Sequence, residues 1–136
     1  MKIQVLVLLI SFAGGTVTSY AHENCAHKYD SLTHREVYFE PKTMPSFPGG
    51  KEVMMAYLIK NFTPPDTINK QGKFVFEFII DVDGRVIGQR IYGKEANEVT
   101  PWEKEWLKTL AAMPAWKPGK CGRKKVPVRM LLPITL

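Results

Sequence analysis

Between Phe74 and Val82 the chain alternates with a period of two: Phe74, Phe76, Phe78, Ile80 and Val82 stand against Val75, Glu77, Ile79 and Asp81. Side chains alternate across a strand, so this run predicts a β-strand with one strongly buried, aromatic-rich face. Such a face needs a covering layer. Asp83-Gly84 follows as the two-residue turn best matched to hairpin twist, and Val86 to Tyr92 is expected to return antiparallel. Asp81-x-Asp83-Gly84 also resembles the opening of a calcium loop. No glutamate stands at the twelfth position and a strand, not a helix, leads in, so the hairpin is the better account.

The covering layer is legible on both sides of that hairpin. Pro48-Gly49-Gly50 is turn chemistry, and a helix is expected from Lys51 to about Asn61, with Val53, Met54, Tyr57 and Leu58 as its buried stripe and Pro64-Pro65 as its stop. Thr100-Pro101-Trp102-Glu103 has the form of a capping box with proline at the first helical position. Trp102, Trp106, Leu107, Leu110 and Ala111 then follow at helical spacing until Pro114. Trp116-Lys117-Pro118-Gly119 reads as a turn, and Val126, Val128, Met130, Leu132 and Ile134 alternate through a last strand. Helix, hairpin, helix and strand together predict an α+β domain: a small antiparallel three-stranded sheet with two helices packed on one face. With 136 residues and 45% hydrophobic content, one domain is the expectation.

The N-terminus reads as an address. Met1-Lys2 is followed by an almost unbroken apolar run from Ile3 to Ala13, and Ser19-Tyr20-Ala21 offers small residues for cleavage. That is the pattern of a secretory signal peptide over 1–21, followed by a polar arm over 22–42 and the folded domain over 43–136. An uncleaved segment would serve instead as a membrane anchor. After export, Cys25 and Cys121 meet an oxidising compartment, where they either pair in a disulfide or stay as two thiols. Paired, they would close nearly the whole domain into one loop.

No catalytic constellation is visible. His22, His27 and His34 all lie in the N-terminal arm, and glycine-rich phosphate loops and nucleophile elbows are absent. His22, Cys25 and His27 have a spacing that a metal could use, but a mixed polar arm is the plainer reading, so no metal or cofactor is expected. A free Cys121 thiol would be activated by its basic neighbours, though with no histidine base near it in sequence. Charge is more telling. Every formal charge after Glu105 is positive, and Lys117, Lys120, Arg123, Lys124 and Lys125 form a candidate electrostatic patch. A solvated face is the common meaning of such a cluster. In a secreted protein its functional meaning is attraction to acidic peptides, receptor surfaces or anionic envelope components, not to nucleic acid.

The last strand carries a further implication. Pro127 and Pro133 share one parity with Arg129 and Leu131, opposite to that of the apolar residues. Two positions on that side cannot donate, so it should be an open sheet edge, with the Arg129 and Leu131 amides as remaining donors. An extended peptide could add a strand there; protection of the edge against aggregation is the alternative use of the same prolines.

The order of several short segments resembles a known family. Phe47-Pro48-Gly49-Gly50, Gln71-Gly72-Lys73, Asp83-Gly84-Arg85-Val86, the run from Met113 to Lys120, and Leu132-Pro133-Ile134 look like the TonB C-terminal domain in its Bacteroidota form. The likeness spans about Met44 to Leu136. It implies a periplasmic, non-enzymatic domain without cofactors that pairs its last strand with a peptide of an outer-membrane TonB-dependent receptor or another envelope protein. Carried over, the pairing strand comprises Val126, Val128, Arg129, Met130, Leu131 and Leu132. The family's long proline-rich spacer is missing, and residues 22–42 reach at most about 70 Å. The expectation is therefore a short secreted form; an inner-membrane energy-transducer component would require the uncleaved N-terminal helix.

Overall fold

The computed structural model describes residues 24–64 and 73–135. The signal segment 1–21, His22, the Gln71-Gly72 pair and Leu136 lie outside the described residues. The elements are β1 (His27–Asp30), β2 (Arg35–Tyr38), α1 (Lys51–Asn61), β3 (Lys73–Ile80), β4 (Val86–Ile91), a 3-10 turn (Ala96–Glu98), α2 (Pro101–Ala111), β5 (Gly119–Cys121), β6 (Lys124–Val126) and β7 (Val128–Thr135).

The α+β class holds, but the sheet is larger than the three antiparallel strands predicted. It is mixed and five-stranded, in the order β1-β2-β7-β3-β4, and β5 and β6 form a separate ribbon. The first addition comes from the N-terminal arm, where β1 and β2 form an antiparallel hairpin, and β2 joins β7 in parallel at Tyr38↔Val128. The second comes from Pro127, which divides the predicted last strand. Without an N–H it cannot continue a ladder, so Val126 stays with β5 and the chain changes partner before Val128.

The centre is as the alternation requires. β3 pairs with β7 from Lys73↔Thr135 to Ile80↔Val128 and with β4 on its other side. Phe76, Phe78, Ile80, Ile91 and Ile134 face one layer formed by Met54 and Leu58 of α1 and Trp106 and Leu110 of α2. Phe62, just past α1, stacks on Trp106 at 3.9 Å between ring centroids and ties the two helices together. Val53, expected in the buried stripe of α1, is instead half-exposed. The capping box at α2 is formed in both directions: Glu103 N donates to Thr100 Oγ1 at 3.2 Å and Thr100 N to Glu103 Oε1 at 3.1 Å.

Two local expectations change. The β3–β4 loop has three residues, Val82, Asp83 and Gly84, because Asp81 N donates to Arg85 O and Gly84 N to Asp81 O. Gly84 sits at φ 84°, the left-handed residue that such a loop needs. Trp116-Lys117-Pro118-Gly119 is extended and not a turn. Trp116 N donates to Gly84 O and Lys117 exchanges both backbone bonds with Ser46. Gly119 is required for closeness: a Cβ there would lie 2.5 Å from Val128 Cγ2.

Candidate partner-binding edge

β7 is fully paired on one side. Val75 O accepts from the N–H of Tyr92, just past the end of β4, so odd-numbered β3 residues turn toward β4 and even-numbered ones toward β7. The register then gives Val128, Met130, Leu132 and Ile134 the bonds to β3, and turns Arg129, Leu131, Pro133 and Thr135 outward. β2 covers the start of that outer edge. Tyr38 N donates to Pro127 O at 2.9 Å, and the parallel bridge aims the Arg129 amide at the Tyr38 carbonyl.

The sequence-predicted residues therefore separate into distinct roles. Val126 belongs to β6 and is buried, and Val128 is buried beneath the Tyr38 bridge. Met130 and Leu132 give their backbone to β3 and their side chains to the helix layer. Arg129, expected to offer an open amide, has it turned onto Tyr38. Among the described residues, Leu131 and Thr135 turn both N–H and C=O to the outer edge, Leu131 with a half-exposed side chain, and Pro133 contributes a carbonyl between them.

The Arg129 side chain is held as firmly as its backbone. Its Nε lies 2.8 Å from Glu77 Oε1, an ion pair without the alignment of a hydrogen bond. The guanidinium sits 5.5 Å from the Phe39 ring centre and 5.7 Å from that of Tyr92. Two aromatic faces and a carboxylate fix the cation over the second face of the sheet. A cleft of about 420 Å³ opens there, lined by Tyr29, Phe39, Glu77, Tyr92 and Arg129 among others.

The β1–β2 hairpin extends over this same face. Arg90 donates to both Asp30 oxygens at 3.0 Å, and Arg35 approaches Asp81 at 3.4 Å. The Arg90 hydrogen bonds hold the Asp30 carboxyl at about 2, down from 3.8; burial opposes the shift and Thr33 assists it. Glu103, at the start of α2, resembles it. Burial pushes its carboxyl up, but Lys94 Nζ at 2.8 Å and the Thr100 amide together hold it below the ordinary range. Sequence reading missed the hairpin. The available signal was Asp30 three residues before Thr33, whose N–H and hydroxyl both donate to Asp30 Oδ2 and close the turn.

Cys25 and Cys121 are joined, with an S–S distance of 2.02 Å, fastening the chain before β1 to the end of β5. The sulfur that could have served a metal beside His27 is thus committed. The basic residues gather on and before the β5–β6 ribbon. Of the cations after Glu105, Lys108 pairs with Glu105 and Arg129 with Glu77. Among the described residues, Lys117, Lys120, Arg123, Lys124 and Lys125 have no acidic partner within 4.0 Å. No described helix is long and apolar enough to cross a membrane. Compared with known proteins, the chain matches no family model, no curated protein and no solved structure.

Proposed function

We propose that this protein is a non-enzymatic, periplasmic binding module that works as the TonB C-terminal domain does, capturing an extended segment of an outer-membrane receptor or other envelope protein. The observation that carries this reading is the outer edge of β7. Leu131 presents an N–H and a C=O there, on a strand whose other side is fully paired to β3. An added strand would bond to Leu131, to the Pro133 carbonyl and to Thr135, extending the sheet by β-augmentation. The disulfide supports an oxidising compartment, in keeping with the signal-like N-terminus.

The short window sets the strength of binding. About five backbone hydrogen bonds at about 0.5–1.5 kcal/mol each leave little after the cost of association, so capture through the edge alone is weak. Titration of isotope-labelled protein with peptides from candidate receptors, read by amide chemical shifts, tests the reading. Leu131 and Thr135 are expected to move most, and Leu131→Pro to abolish the response with the fold intact, since that amide lies outside the β3 ladder. Unmoved edge amides, or unchanged binding by Leu131→Pro, would remove the proposal.

A further inference from the structure

Away from the β7 edge, the β5–β6 ribbon combines features that ordinary surface lysines lack. Its register sets Lys120 directly opposite Lys125. Lys120 turns its N–H and C=O outward to Thr43, at 2.9 and 3.0 Å, so the pair is the non-hydrogen-bonded kind in which side chains come closest. Like charges directly opposed across a ladder destabilise it. Among the described residues no carboxylate lies within 4.0 Å of either lysine, and no acidic residue occurs in the sequence after Glu105.

The ribbon is nonetheless held rigidly. The Cys25–Cys121 bond fastens it from one direction, the Thr43 bridge from another, and Gly122 at φ 62° makes its turn tight. Its cations point several ways. Lys120 and Lys125 share one face, Lys124 stands opposite Cys121 on the other, Arg123 is at the tip and Lys117 just precedes β5. A fixed acidic protein surface would meet one of these directions. A layer of mobile anionic headgroups can close around all of them, and half-exposed Met44, next to the Thr43 bridge, adds an apolar contact.

We infer that the β5–β6 ribbon is a docking finger for an anionic phospholipid surface, a role separate from strand capture by β7. Each cation brought to such a surface contributes about five-fold in binding, so Arg123→Gln/Lys124→Gln/Lys125→Gln should weaken partitioning about 100-fold.

The test is co-sedimentation of the full protein with phosphatidylcholine vesicles with and without phosphatidylglycerol, at low and high salt. Binding is expected only with phosphatidylglycerol, falling steeply with salt and retained by Lys124→Arg/Lys125→Arg. Lys125→Gln alone should reduce binding while raising Tm by about 2–4 °C, because it relieves the repulsion from Lys120. Equal binding to pure phosphatidylcholine, undiminished binding by the triple variant, or retention of an acidic peptide without retention on vesicles would each overturn the inference. Peptide shifts at Leu131 report the β7 reading separately, so either proposal can fail alone.

Discussion

Removing the Cys25–Cys121 disulfide is the perturbation whose consequence the fold states most sharply. The two cysteines are 96 residues apart, so their bond closes nearly the entire domain into one loop. In the chain-entropy treatment a loop of this length removes about 4.7 kcal/mol of unfolded-state freedom at 25 °C. At roughly 4 °C per kcal/mol for a domain of this size, Cys25→Ala/Cys121→Ala should melt about 15–20 °C below the wild type. The loss has a local component as well. Apart from the disulfide, the described contacts that hold the β1–β2 hairpin to the rest of the fold are the single bridge at Tyr38, the buried Val37 side chain, the Asp30–Arg90 pair, the looser Arg35–Asp81 contact and Phe39 beside the Arg129 guanidinium. Thermal unfolding followed by circular dichroism measures the first effect, and amide hydrogen exchange the second. Protection should fall first in β1 and β2, while the β3–β7 ladder keeps its protection until global unfolding. A drop in Tm below about 5 °C would refute the loop-entropy reasoning. Uniform loss of protection across all five strands would refute the claim that the hairpin is the weakly held element.

Three further outcomes can be checked by equilibrium unfolding. Because the folded-state pKa of Asp30 is depressed to about 2, its contribution is present above pH 4 and is lost as pH falls through 4 toward 2. After discounting for solvent screening it is worth roughly 1–2 kcal/mol, so urea midpoints measured across that window should fall less steeply for Asp30→Asn than for wild type. Gly84→Ala should cost at least about 2 kcal/mol, combining the left-handed conformation with a Cβ that would collide with the Trp116 carbonyl. Thr100→Ala, which breaks the capping box of α2, should cost about 1 kcal/mol, and Thr100→Ser should recover most of it.

What could be read from the sequence lies where the determining contacts are short-range. α1 begins at Lys51 after two glycines with positive φ, and α2 begins with a capping box whose partners are three residues apart. β3 is long enough for its alternation to declare a buried face unaided. The candidate edge was partly legible for the same reason. Proline parity is a property of consecutive residues, and it singled out the side of β7 that bears Leu131.

The sheet's size and the use of its edge were settled by contacts between residues far apart in the chain. β1 and β2 have four residues each, too few periods for alternation to show, and they become strands by leaning on β7, Asp81 and Arg90. Arg129 has the same parity as Leu131, yet its amide meets Tyr38 and its guanidinium is boxed by Glu77, Phe39 and Tyr92. Cys25 and Cys121 could be named as candidates, but only the fold places their sulfurs within bonding distance. Composition and periodicity determined the two helices, the central hairpin and the sidedness of the last strand. Tertiary structure decided which strands join, where β7 breaks, which amides stay open and how the basic ribbon is fastened, because each depends on pairing across many tens of residues.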